Sequence, residues 1–340
     1  MKRCIQLAKN GLGSTYPNPL VGSVIVYDGK IIGEGWHQKA GHAHAEVIAI
    51  HSVKDKSLLK KATIYVSLEP CSHFGKTPPC CDLIIKHEIP KVIIGTVDPN
   101  SIVAGNGIKK LIESGKKITV GILEAECNEL NKRFFTFQNE KRPYIILKWA
   151  ESEDGWMSPK ERLEQKPVWI TNPYSRQLVH KWRSEEQAIL VGTETVVADN
   201  PKLNIRDWTG TAPIRIVIDR NNRISKESYI FDDTQKTLVF SSTALGEEKN
   251  TNQWLPLKEQ ENLATQIANQ LHELNIQSVI IEGGSKTLQL FIDSNLWDEA
   301  RIFKGAVALK IGTPAPVLNK IKNKKYTILK DELIILRNYD

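Results

Sequence analysis

A chain of 340 residues exceeds what one ordinary hydrophobic core supports, so two domains of about 150 residues each are expected. Hydrophobic residues at 41% and charged residues at 25% exclude a disordered, collagen-like or disulfide-scaffold chain, and 46 Lys and Arg against 39 Asp and Glu leave +7, a mild excess that suits phosphorylated small molecules. Five cysteines, of which Cys71, Cys80 and Cys81 cluster, fit reduced thiols or metal ligands better than a disulfide framework.

Ile5, Leu7, Ala8 and Leu12 suggest a short first helix, and the apolar stretch after Arg3 is too brief for a signal-peptide core. With no run of 18 apolar residues, a soluble cytoplasmic chain without membrane contact is expected. Strands are expected at Val21 to Tyr27 and Ile31 to Trp36 around the Asp28-Gly29 turn, at Ala62 to Leu68, Lys91 to Thr96 and Lys117 to Gly121. Helices are expected from Glu46, at Cys80 to His87, after Gly107 and over Glu124 to Phe135. This alternation reads as a three-layer α/β domain ending near 140, where Asn139 to Pro143 makes a charged, proline-terminated break. A second alternating series follows, with strands at Tyr144 to Trp149, Ala188 to Gly192, Ile214 to Asp219, Thr237 to Phe240 and Ser278 to Ile281. Its helices are expected at Ser175 to Arg183, Asn262 to Leu274 and Thr287 to Ser294, while Lys320 to Lys325 reads as a solvated loop.

His44-Ala45-Glu46, Pro70-Cys71 and Cys80 supply one imidazole and two thiolates around a carboxylate, the parts of a zinc deaminase. Three protein ligands leave the fourth tetrahedral position for water, whose pKa the cation lowers, and Glu46 is the candidate proton shuttle. Residues two apart on a regular helix face different ways, so His44 is expected at the helix entry with non-helical geometry. Cys80 is expected at a helix start and Cys71 at a strand end. Cys4 and Cys127 read as structural, and Cys81 and His42 need not be ligands. The eight residues between Cys71 and Cys80 include His73 and Lys76, and such a loop can reach a phosphate-bearing substrate.

Pro17-Asn18-Pro19-Leu20-Val21-Gly22, Gly35-Trp36-His37, His44-Ala45-Glu46, Glu69 to Cys80 and Asp98-Pro99-Asn100 together resemble the bifunctional deaminase/reductase family of riboflavin biosynthesis. The resemblance implies zinc on His44, Cys71 and Cys80, acid/base work by Glu46, and substrate contacts from Asn18, His37, His73, Lys76, Asp98 and Asn100. It implies a cytidine-deaminase-like three-layer α/β/α domain over 1–140 and a dihydrofolate-reductase-like α/β domain over 141–340.

In the second half, Thr171-Asn172-Pro173 is a helix start whose N–H groups could attract an anion, and Glu282-Gly283-Gly284-Ser285 lets backbone approach a phosphate. Leu147-Lys148, Ser152, Asp154-Gly155, Trp169-Ile170-Thr171, Ala188 to Gly192 and Glu282-Gly283-Gly284 resemble the reductase half of the same family. That resemblance implies NADPH contacts from Ala150, Trp169, Thr195, Asp199, Gly283, Gly284 and Ser285. It also implies substrate contacts from Arg183, Leu203, Arg206 and Glu282. Glu153, Pro167, Gln187 and Ser101 depart from the family pattern.

The expectation is a two-step enzyme: hydrolytic deamination of a diamino-pyrimidinone ribosylamine phosphate, then NADPH reduction of its ribosyl group. The partner is a phosphorylated pyrimidine rather than nucleic acid, and homo-oligomerisation is left open. Two other readings stay open on sequence alone: a nucleic-acid or nucleoside zinc deaminase with an appended binding domain, and a non-enzymatic structural zinc protein with a closed four-ligand site.

Overall fold

The computed structural model describes residues 1–72, 78–100, 104–161, 164–243, 251–319 and 323–338. Two compact units divide the chain, Met1–Lys141 and Arg142–Asp340.

In the first unit, α1 (Lys2–Ala8) precedes a hairpin of β1 (Gly22–Tyr27) and β2 (Lys30–Trp36). Asp28 and Gly29 both take positive φ, 46° and 69°, the backbone that a two-residue hairpin turn demands. There follow α2 (Ala45–Ser52), β3 (Thr63–Leu68), α3 (Cys80–Lys86), β4 (Lys91–Thr96), α4 (Asn106–Glu113), β5 (Lys117–Val120), α5 (Glu124–Leu130) and α6 (Lys132–Glu140). The sheet order is β2-β1-β3-β4-β5, antiparallel across β2, β1 and β3 and parallel from β3 to β5. Strand residues alternate between faces. Ile25, Ile64, Val66, Val92 and Ile94 pack on α2, α3 and α4, while Val24 meets Cys4 and Leu7 of α1 on the other face. Ile5 and Ala8 also contact Cys127 and Leu130 of α5, which completes the α/β/α layering.

One helix over Glu124 to Phe135 was the expectation; two are found, broken at Asn131 (φ −103°, ψ 18°). The Asn131 side chain accepts from the Leu20 N–H at 2.8 Å and donates to the Leu20 carbonyl at 2.9 Å, serving both backbone groups as a strand partner would.

The second unit comprises β6 (Tyr144–Glu151), β7 (Trp156–Pro159), α7 (Pro173–Glu185), β8 (Ala188–Gly192), α8 (Thr193–Asp199), β9 (Ile214–Ile218), β10 (Thr237–Ser241), β11 (Asn252–Pro256), α9 (Leu263–Glu273), β12 (Ser278–Ile281), α10 (Ser285–Asp293), β13 (Glu299–Lys304), β14 (Gly312–Pro314), β15 (Asn323–Ile328) and β16 (Asp331–Arg337). Its main sheet runs β11-β10-β9-β8-β12-β6-β13-β16-β15, parallel from β11 to β13 and antiparallel at β16 and β15. Ile145, Leu147, Leu190, Ile216 and Ile281 face α9 and α10, whereas Ile146, Ile189, Val191, Val217 and Ile280 face α7 and α8. Burial on both faces explains why these strands read as continuous apolar runs.

From β6 the chain passes to β8 and runs outward to β11, and β12 then inserts between β6 and β8. The strand order reverses there, and a crevice forms outside the carboxyl ends of the strands at such a point. Strands β7, β11 and β13 to β16 were not anticipated. Lys324 and Lys325, read as loop, belong to exposed edge strand β15, where lysines discourage edge-to-edge pairing; residues 320–322 lie outside the described residues.

Candidate functional site

In the first unit, His44 is the N-cap of α2 with extended backbone (φ −72°, ψ 163°), and Glu46 sits in the first helical turn. The change of backbone at the cap lets both side chains converge despite their spacing. Cys80 is the first residue of α3, and its N–H donates to Cys71 Sγ at 3.3 Å. Cys71 does not end a strand as expected. Strand β3 stops at Leu68, the Glu69 N–H still reaches the Thr96 carbonyl at 2.9 Å, and Pro70, lacking an N–H, ends the ladder.

His44 Nδ1 lies 3.5 Å from Cys71 Sγ and 3.3 Å from Cys80 Sγ, and the three donor atoms all fall within 4.8 Å of one another. Hydrogen bonds from Cys80 and His44 bring the Cys71 thiol down against the effect of burial, while Cys80, bonded to Cys71 and buried, is held high. One imidazole nitrogen and two sulfurs this close form a donor set that fits zinc. Among the described residues no fourth ligand joins them: His42 is exposed, and the Cys81 thiol donates to the Pro70 carbonyl at 3.2 Å. Glu46 is 3% exposed; burial first, then the Cys71 charge, push its carboxyl up to about 7, with His44 opposing.

His37 Nδ1 faces the Ala43 carbonyl at 3.1 Å, which can only accept, so that nitrogen carries the proton. Nε2 then accepts from Asn18 Nδ2 at 3.0 Å, and burial lowers the imidazole's pKa, which favours this neutral form. The His37 ring stands edge-on to His44, with centroids 5.5 Å apart. Asp98 is buried, and its Oδ1 accepts from the Asn100 N–H at 2.8 Å. His73 and Lys76 lie outside the described residues.

In the second unit, the carboxyl ends of β6, β8 and β12 bring Glu282, Lys148, Gly283, Gly284 and Thr195 together. Arg183 Nε and Nη2 donate to the two Glu282 oxygens at 2.8 and 2.7 Å, Arg183 Nη1 donates to the Asn204 carbonyl at 3.1 Å, and Lys148 Nζ lies 3.7 Å from Glu282. The Arg183 fork is thus engaged by a carboxylate of its own chain. Lys148 stands in a motif of the reductase resemblance but carries no role there, although a lysine inside the apolar strand β6 is a signal for one; burial lowers its pKa while Glu282 opposes.

A Cβ on Gly283 would lie 2.7 Å from Val191 Cβ and 2.9 Å from Thr195 Oγ1, and Gly284 takes φ +73°, so glycine at both positions allows the close turn into Ser285 at the start of α10. Asp199 ends α8, Ala150 is half-buried on β6, and Leu203 is buried with φ +49°. Trp169 is exposed under the Arg176 guanidinium, 4.5 Å from its centroid, and Arg206 Nη1 donates to Asn204 Oδ1 at 3.0 Å.

Of the two readings open for the start of α7, an anion site or a plain capped helix, the structure has the capped helix. Asn172 Oδ1 accepts the Tyr174 and Ser175 N–H groups at 2.9 and 3.1 Å, and Asp331 takes the Asn172 N–H at 2.8 Å and the Ser175 hydroxyl at 2.6 Å. The chain's own groups fill the place.

Residues 1–96 match the cytidine and deoxycytidylate deaminase zinc-binding region, and residues 143–317 match the RibD C-terminal domain. The riboflavin biosynthesis protein RibD of Aquifex aeolicus (strain VF5) is 37% identical over 348 residues, spanning 98% of this chain and 96% of that protein. The protein of the same name from Escherichia coli (strain K12) is 36% identical over 325 residues, 89% of this chain and 86% of the other. A crystal structure of a diaminohydroxyphosphoribosylaminopyrimidine deaminase/5-amino-6-(5-phosphoribosylamino)uracil reductase from Thermotoga maritima superposes with a TM-score of 0.89 at 37% identity, covering 99% of this chain and 97% of that one.

Proposed function

As the chain belongs to the RibD family of riboflavin biosynthesis, whose members join a deaminase and a reductase in one polypeptide, we propose how its two units divide that work. The Met1–Lys141 unit removes the amino group from 2,5-diamino-6-ribosylamino-4(3H)-pyrimidinone 5′-phosphate, and the Arg142–Asp340 unit reduces the ribosyl group to ribityl with NADPH. The observation that carries this reading is the convergence of His44 Nδ1, Cys71 Sγ and Cys80 Sγ beside the buried Glu46.

His44, Cys71 and Cys80 would hold zinc, which when bound would supply Lewis acidity that makes a water-derived nucleophile available near neutrality. Glu46 takes one proton from the attacking water and passes it to the ring nitrogen, then takes the second from the added hydroxyl and passes it to the departing ammonia. Its burial beside the ligand set keeps this carboxyl within reach of the reacting groups and away from bulk water. His37, locked as the Nδ1–H tautomer by Ala43, holds the Asn18 amide, whose Oδ1 then faces the pyrimidine as an acceptor. Asp98 and Asn100, with His73 and Lys76, complete the substrate contacts.

In the second unit a nicotinamide, when bound, would supply hydride, and the protein's task is alignment. Ala150, Trp169, Thr195, Asp199 and the Gly283-Gly284-Ser285 turn seat NADPH. Glu282, held by Arg183 and Lys148, addresses the ribosyl chain with Leu203, and exposed Arg206 meets its phosphate. Five unpaired thiols support a reducing cytoplasm as the compartment. The test is to incubate zinc-loaded protein with the pyrimidine substrate, first without and then with NADPH. Ammonia without NADPH, followed by NADPH oxidation once it is added, is expected; ammonia alone removes the reductase assignment, and no ammonia removes the deaminase assignment.

A further inference from the structure

Glu69 is 4% exposed and belongs to neither the ligand set nor the proton path, yet both of its carboxylate oxygens are fully used. Oε2 accepts the Asp98 N–H at 3.3 Å and the Gly105 N–H at 3.0 Å, and Oε1 accepts the Gly107 N–H at 2.9 Å and the Ile108 N–H at 3.2 Å. Asp98 and Gly105 bracket the segment that carries Asn100, so a single oxygen draws its two ends together. Gly107 and Ile108 lie in the first turn of α4, whose N-cap, Gly105, has no side chain to offer, so Glu69 supplies from the segment after β3 the anion that this helix start lacks. The close approach requires glycine: a Cβ at Gly107 would lie 2.2 Å from the Pro70 carbonyl oxygen and 3.1 Å from Glu69 Oε1.

Chain connectivity then gives the arrangement a direction. Glu69 stands two residues before the ligand Cys71 and is fixed to β4 by its own N–H on the Thr96 carbonyl. We infer that Glu69 is a positioning residue for the deaminase: it sets Asp98 and Asn100, the proposed substrate contacts, against the His44, Cys71 and Cys80 centre. This inference rests on the deaminase reading. It assigns Glu69 a role in substrate affinity rather than in holding metal, because its four partners are all backbone donors of the 98–108 segment.

Replacement by glutamine keeps the size but turns one end of the side chain into a donor facing N–H groups, so half of the clamp is lost. The experiment uses full-length zinc-loaded protein and compares wild type, Glu69→Gln, Asn100→Ala and the double variant. Ammonia release, zinc per chain and NADPH-dependent reduction of the deaminated substrate are measured for each. Glu69→Gln is expected to raise KM for ammonia release about tenfold or more, with the larger effect on KM than on kcat, zinc content unchanged and reductase turnover unchanged. Adding Asn100→Ala to it is expected to raise KM little further, since both changes remove the same contact. An unaltered KM, zinc loss in proportion to lost activity, or fully additive effects would overturn the inference. If Glu69→Gln does not accumulate as folded protein, Glu69→Asp, which keeps the charge one methylene short, is read by the same criteria. Wild-type protein that releases no ammonia would sink the deaminase reading itself, which separates the two failures.

Discussion

Glu282 and Arg183, 99 residues apart in sequence, meet through two parallel bonds of 2.8 and 2.7 Å between carboxylate and guanidinium. Burial alone would raise the Glu282 carboxyl, but the Arg183 and Lys148 charges outweigh it and bring the group down to about 2. Because this lies below the ordinary 4.5, the ion pair's contribution is complete above about pH 4.5 and is lost as the pH falls toward 2. Glu282→Gln should therefore cost about 3 kcal/mol at pH 7, leaving two buried cations short of a counter-charge. At pH 3 the cost should be half of that or less. Urea unfolding at the two pH values checks this, and equal costs would contradict it.

Gly283→Ala should damage the second reaction and spare the first. Its new methyl would meet Val191 and Thr195 at the turn into α10, an overpacking worth roughly 1–3 kcal/mol. NADPH affinity measured by titration should fall about tenfold or more, while ammonia release stays at the wild-type rate. Unchanged NADPH affinity would remove this turn from the cofactor site.

Asn131→Ala should destabilise the first unit by roughly 1–3 kcal/mol, because the buried Leu20 N–H and carbonyl both lose their partner. Asn131→Asp sets a buried carboxylate oxygen against the Leu20 carbonyl where the amide donated, so its cost should be at least as large as that of Asn131→Ala. Chemical unfolding of the three proteins orders them; equal stability of Asn131→Ala and wild type would mean that the bidentate contact contributes nothing.

The ligands His44, Cys71 and Cys80 were legible in sequence because metal chemistry restricts residue type so severely that three side chains and a neighbouring carboxylate stand out across 37 positions. The parallel strands β6, β8, β9, β10 and β12 were legible for a related reason, since burial on both faces leaves unbroken apolar runs such as Ala188–Gly192. Edge strand β15 was not: Asn323, Lys324 and Lys325 are exposed, so no hydrophobic period marks them. The break at Asn131 escaped because its cause is Leu20, 111 residues away. Glu69 stood beside Cys71 in a recognised motif, but its partners are backbone N–H groups 29 to 39 residues onward, and backbone donors leave no trace in side-chain identity. The start of α7 carried a true capping signal, yet whether a cap leaves room for a ligand depends on Asp331, which only the folded chain brings there.

The most direct measurement is zinc per chain together with ammonia release in Glu46→Gln. One zinc per chain with ammonia release reduced at least about a thousandfold is predicted, with NADPH-dependent reduction of deaminated substrate intact. Wild-type ammonia release from the variant would contradict the assignment of Glu46 as proton carrier, and loss of the metal along with the activity would make it a support of the centre instead.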